Sequence, residues 1–100
     1  NGMNADLQHI QQSLQKQESV LASRYHVRRL GVFGSVARGD QGPASDVDIL
    51  VELAEPIGLF GFVALEEDLK RLLGRNVDLV TTNALHPLLK QDILRETVYV

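Results

Sequence analysis

The chain predicts an α/β (α+β) domain in which helices flank a small mixed β-sheet, with elements ordered α-β-α-β-α-β-α and a short closing strand. Three observations carry this expectation. Three short runs rich in Val, Ile and Leu are bounded by turn-forming residues. Around them lie longer stretches whose apolar residues recur at helical spacing. Two of the three runs also hold carboxylates where a purely structural strand has no use for them, Asp46 and Asp48 in one and Asp78 in the other.

Taken in order, Asn4 is placed to cap a helix through Leu7, Ile10, Leu14 and Leu21, with a Gln-rich polar remainder. His26 to Phe33 reads as the first strand, on Val27, Leu30, Val32 and Phe33. Gly31 and Gly34 bracket its end, and Ser35 to Arg38 begins a short helix. Gly39 to Ala44 is a turn-rich loop with two glycines and a proline. Asp46 to Leu53 is the second strand, apolar enough to be buried on both faces.

Pro56 breaks the connector from Ala54 to Gly58. Leu59 to Leu73 follows as an amphipathic helix through Leu59, Phe62, Val63, Leu69, Leu72 and Leu73. Its Glu66–Lys70 and Glu67–Arg71 pairs have the favourable i,i+4 order, and Gly74 ends it. Asn76 to Thr81 is the third strand. The last helix runs from Leu85 to Arg95 with Pro87 early, where a missing N–H costs little. Thr97 to Val100 closes the chain as a short strand.

Residues 1–100 are read as one small domain, with Asn1-Gly2 ahead of Met3 as an appended pair and Met3 as the natural start. A net charge of −3 argues against broad binding to nucleic acid, which needs a basic face. The chain has no cysteine, so disulfides and thiolate metal sites are excluded. No apolar run approaches the roughly 18 residues of a membrane span, and no signal peptide is visible. The expected location is the cytoplasm.

The chemistry concentrates between Gly34 and Asp48. Gly34 permits close approach of the backbone to a phosphate and tolerates positive φ. Ser35 can donate its hydroxyl to that phosphate or cap the helix that follows. Arg38, about one turn on, can add a fork of donors or simply pair with Asp40. Ten residues separate Ser35 from Asp46. Asp46 and Asp48, two apart, share one side of a strand roughly 6.5–7 Å from each other. They can hold a divalent cation, or they can sit at a solvated strand end and accept backbone N–H bonds. Asp78 bears on that choice, although as a strand-edge acid or cap it too has an ordinary explanation. If its strand neighbours theirs, about 4.8 Å away, three carboxylates meet whose repulsion calls for a cation. Two Mg²⁺ ions about 3.5–4 Å apart would make such a cluster a phosphoryl- or nucleotidyl-transfer site.

Gly34-Ser35, the ten-residue spacer and Asp46-x-Asp48 resemble the signature of the DNA polymerase beta-like nucleotidyltransferase superfamily. Gly34-Ser35-x-Ala37-Arg38-Gly39 and Ser45-Asp46-x-Asp48 are similar to its minimal nucleotidyltransferase branch, and the likeness runs to Glu96-Thr97-Val98-Tyr99-Val100. The resemblance implies a nucleotidyltransferase fold and a magnesium-dependent transferase using ATP or another nucleoside triphosphate. It implies that Asp46 and Asp48 bind both metals, that Asp78 is the third carboxylate and the base, and that Gly34 and Ser35 contact phosphate with Arg38 in support. Many members are antitoxins encoded beside a HEPN-domain ribonuclease toxin, and some inactivate it by adding AMP to a tyrosine. Larger relatives hold the acceptor with an additional domain, a surface that a partner protein would supply here. Two other functions compete: an antitoxin acting by complex formation without catalysis, and a small-molecule nucleotidyltransferase.

Other residues point nowhere in particular. His9, His26 and His86 lack metal-ligand spacing, and Asp40 is better read as a turn former. Tyr25 and Tyr99 are too far apart in sequence for a stacking platform. Phe60 and Phe62 read as core or partner-facing surface rather than a base clamp.

Overall fold

The computed structural model describes residues 4–40 and 46–100. Five helices and four strands follow one another as α1 (Ala5–Lys16), α2 (Glu18–Tyr25), β1 (Val27–Phe33), α3 (Gly34–Arg38), β2 (Val47–Leu53), α4 (Gly58–Leu73), β3 (Val77–Thr81), α5 (Pro87–Glu96) and β4 (Val98–Tyr99). A 3₁₀ turn at Thr82–Ala84 joins β3 to α5. Of the loop expected from Gly39 to Ala44, the part from Gln41 on lies outside the described residues, as do Ser45 and Asn1, Gly2 and Met3.

The sheet is mixed, in the order β3-β2-β1-β4. β1 runs antiparallel to both β2 and β4, while β2 and β3 are parallel and joined by α4 as the crossover a parallel pair requires. One face presents Leu30 and Val32 of β1, Val47, Ile49 and Val51 of β2, and Val77 and Leu79 of β3, all buried. Against it α1, α2 and α4 lay Leu7, Ile10, Leu14, Leu21, Tyr25, Leu65 and Leu69. By strand alternation Gly31, Phe33, Asp48, Leu50, Asp78 and Val80 belong to the other face. Leu50 is buried there too, so the middle of β2 is covered on both sides as expected.

Several expectations change. The first helix is two: Gln17, at φ −108° and ψ 8°, ends α1 and starts α2. No glycine or proline imposes this break. Tertiary packing does, turning Leu21 and Tyr25 inward so that the Tyr25 hydroxyl meets Asp68 of α4. His26 is not strand: it caps α2 in the left-handed region at φ 58° and its Nε2 lies 3.1 Å from Glu55.

In α4 the buried residues are Leu65 and Leu69, whereas Leu59 is 74% exposed and Phe60 90%, with Val63 exposed as well. Phe62 packs against the core from the same stretch of helix, so Leu59, Phe60 and Val63 lie on its outward side, which helical periodicity alone does not reveal. Its charges also pair differently, Lys70 with Glu67 and Arg71 with Asp68, both i,i+3. Glu66 instead accepts the backbone N–H of Leu79 in β3, at 3.4 Å. Arg75, just past Gly74, places Nη1 2.8 Å from both carboxylate oxygens of Asp6, tying the α4–β3 turn to α1.

Leu65 is fully buried at the centre of the α4–sheet contact. Leu65→Ala is expected to cost about 2–5 kcal/mol of stability, read as a lower urea midpoint at unchanged slope.

Candidate active site

The two ends of the Gly-Ser and Asp-x-Asp motif are brought together by strand pairing. Phe33, the last residue of β1, lies opposite Asp48 of β2, and Asp48 lies opposite Asp78 of β3. Directly opposed residues share a face, so one row across three strands carries the β1 turn and two carboxylates. Asp46 stands exposed one residue ahead of β2, and Asp78 is exposed while Asp48 is partly buried. The condition that the Asp78 strand should neighbour the Asp46–Asp48 strand is met.

Gly34 follows Phe33 at φ 73°, and a Cβ there would overlap the Asp48 carboxylate. Only glycine allows both the left-handed conformation and this approach. Ser35 sits in the first turn of α3, which has no side-chain cap, so the capping role does not apply. Its backbone carbonyl accepts the N–H of Asp40 at 2.9 Å, closing the turn. The start of α1 holds this turn from beneath. Asn4 caps α1 by accepting from the Leu7 N–H at 3.1 Å and donates Nδ2 to the Val36 carbonyl at 2.7 Å.

Arg38 makes the anticipated pair with Asp40, Nε to Oδ2 at 3.0 Å, and a second one that sequence reasoning missed, Nη1 to Glu96 at 3.1 Å. Asp40 and then Glu96 raise the guanidinium pKa above its ordinary value, favouring the charged form. The other carboxylate oxygen of Glu96 accepts the N–H of Gly34 at 3.1 Å. Glu96 is 62 residues from Gly34, and its position at the end of α5 gives no periodic signal that could have found it. The likeness of Glu96–Val100 to the minimal branch was the only pointer.

Burial foremost, then the charges of Asp78 and Asp46, push the Asp48 carboxyl up from its ordinary value; Arg38 opposes them. Both neighbouring acids therefore act on Asp48. Among the described residues no three acidic or histidine side chains are gathered tightly enough to cage an ion unaided, which qualifies the expected three-carboxylate cluster. Without a cation their repulsion favours separation. Mg²⁺ is ordinarily held by one or two carboxylates, with substrate phosphates and water completing its shell. The hard oxygen donors of Asp46, Asp48 and Asp78, open to a phosphate at Gly34, fit that mode.

The sequence matches the family model for a nucleotidyltransferase domain over residues 14–100. It is 45% identical over 94 residues to the protein adenylyltransferase MntA of Thermococcus cleftensis, covering 94% of this chain and 95% of that one. A solved structure assigned as a minimal nucleotidyltransferase superposes with a TM-score of 0.72 at 37% identity, covering 89% of this chain and 93% of that one. A toxin–antitoxin structure with AMP-PNP gives a TM-score of 0.71 at 26% identity, covering 85% of this chain and 69% of that one.

Two outcomes are expected. Because the folded-state carboxyl of Asp48 titrates above its ordinary 3.8, the native state holds an extra proton between the unfolded and folded pKa values, and stability falls as pH rises through that window. Asp48→Asn should therefore raise the melting temperature of the metal-free protein at pH 7, with the advantage shrinking below about pH 4; thermal denaturation from pH 3 to 7 checks this. Gly34→Ala should cost at least ~1–3 kcal/mol through its backbone strain alone, measured by urea denaturation, with further loss from the overlap with Asp48.

Proposed function

The chain belongs to the nucleotidyltransferase domain family, and from that premise we propose that it moves AMP from ATP onto a hydroxyl of a partner protein, a HEPN-domain ribonuclease toxin that it thereby silences. The observation that carries the site assignment is the row in which Asp48 faces Asp78 across β2 and β3 and abuts Gly34. The name and 45% identity of the Thermococcus cleftensis adenylyltransferase support the choice of AMP and of a protein acceptor. The structural likeness to a toxin–antitoxin assembly with AMP-PNP supports an adenine nucleotide and a toxin as partner.

In this reading the Gly34 amide and the Ser35 hydroxyl receive triphosphate oxygens and Arg38 adds positive charge beside them. Chemistry and placement support these roles, which the family resemblance implies: donors lie at the end of β1, acceptors of cations at the starts of β2 and β3. Asp46 and Asp48, with Asp78 beside them, would hold Mg²⁺, which supplies neutralisation of the triphosphate and of the departing pyrophosphate. Asp78, exposed at the strand start, takes the proton of the attacking hydroxyl. The new bond joins that oxygen to the α-phosphorus as the bond to pyrophosphate breaks, so one AMP is transferred and one pyrophosphate released. Among the described residues no helix is long and apolar enough to cross a membrane. We place the reaction in the cytoplasm, where ATP and Mg²⁺ are abundant.

Label from α-³²P-ATP is expected to appear on the partner toxin with the intact chain and Mg²⁺. It should vanish with EDTA and with the Asp46→Asn, Asp48→Asn double variant, while γ-labelled ATP should leave the toxin unlabelled. Persistent α-label transfer by the double variant would sink the assignment. If the double variant fails to label the toxin yet still rescues growth, the chain neutralises by complex formation alone.

A further inference from the structure

Glu96 ends α5, which packs against α3 and β1. Its carboxylate takes one donor on each oxygen, the Gly34 backbone N–H on Oε1 and the Arg38 guanidinium on Oε2, both at 3.1 Å. These are the donors that the proposed function gives to the triphosphate. An anion gripped by a backbone amide on one oxygen and by a guanidinium on the other occupies the place that a phosphate needs.

From this, and resting on the reading that the Gly34–Arg38 turn receives nucleotide phosphate, we propose that Glu96 is a built-in competitor that fills the phosphate seat until nucleotide displaces it.

Three features support displacement over permanent occupancy. The Glu96 side chain is 30% exposed, so solvent lies beside it and a rotation about its own torsions can empty the seat. Its charge adds to the repulsion already felt by Asp48, so moving it away relieves the carboxylate row. Finally, a single carboxylate carries less charge than a triphosphate, so the displacing ligand has the stronger hold on the same donors.

The test compares the full chain with Glu96→Gln, which keeps the shape and loses the charge, and Glu96→Ala, which removes both acceptors. Binding of ATP, inorganic pyrophosphate and adenosine is measured by calorimetry with Mg²⁺ present, and the melting temperature confirms folding. Both variants are expected to bind ATP and pyrophosphate about tenfold more tightly than the unaltered chain, with Ala at least equal to Gln; one charge-assisted hydrogen bond no longer competing with the ligand sets that scale. Adenosine, which has no phosphate, should bind all three proteins alike. Weaker or unchanged binding of ATP and pyrophosphate by a folded Glu96→Gln protein would overturn the proposal and make Glu96 a positioning residue. If pyrophosphate tightens as expected but no chain binds ATP, the competitor stands and the nucleotide reading falls.

Discussion

A slip of β2 by one residue against its neighbours would drive Asp48 into the apolar core and move Val47, Ile49 and Val51 to the opposite face. Every other feature of the site depends on that register. It is locked on the core face by the fully buried Val47, Ile49 and Val51, whose combined burial far outweighs what the carboxylates lose by sitting near one another. The apolar face thus holds the acidic row in place, and the repulsion within that row is offset by packing on the reverse side of the same strand. This division of labour is why a strand can tolerate two acids at its beginning and remain the centre of the sheet.

The same logic explains how much of the molecule was legible in its sequence. Strand alternation separates Asp48 from Val47 and Ile49 without any knowledge of neighbours, so the strand, its two faces and the pairing of Asp46 with Asp48 can be read directly. The acid in Val77-Asp78-Leu79 announces a second such strand, while the parallel pairing that sets Asp78 opposite Asp48 comes from the fold. What could not be read depends on where elements end relative to the core. The break at Gln17 has no local cause; it follows from the places at which Leu21 and Tyr25 find cover. Likewise Leu59, Phe60 and Val63 carry good helical spacing but remain exposed.

Glu96 marks another limit. Its two hydrogen bonds reach Gly34 and Arg38 across most of the chain, and nothing in the pattern around it differs from an ordinary polar helix end. Periodicity reports which face a residue occupies, whereas it is silent on what lies opposite a helix terminus. The charge pairs of α4 fail to follow sequence order for a related reason. Asp68 is drawn toward Tyr25, Arg24 and Arg71 together, and Glu66 turns to the backbone of β3. Tertiary donors outcompete the weak i,i+4 partners, which are worth only a few tenths of a kcal/mol.

The sheet has open sides, and the chain blunts both of them. β4 covers β1 only at Gly31 and Val32, with the Val100 N–H reaching the Leu30 carbonyl at 3.0 Å. The remaining stretch of β1 is irregular between Val27 and Arg29 and carries two arginines, one of which lies over the Tyr99 ring, 3.5 Å from its centroid. On the far side, Glu66 occupies the Leu79 amide of β3. Irregular pairing, charge and a side chain bonded to an edge amide are the means by which sheets resist growing onto one another. These features leave both edges poor templates for a strand from another copy, and they discourage edge-to-edge growth of the sheet.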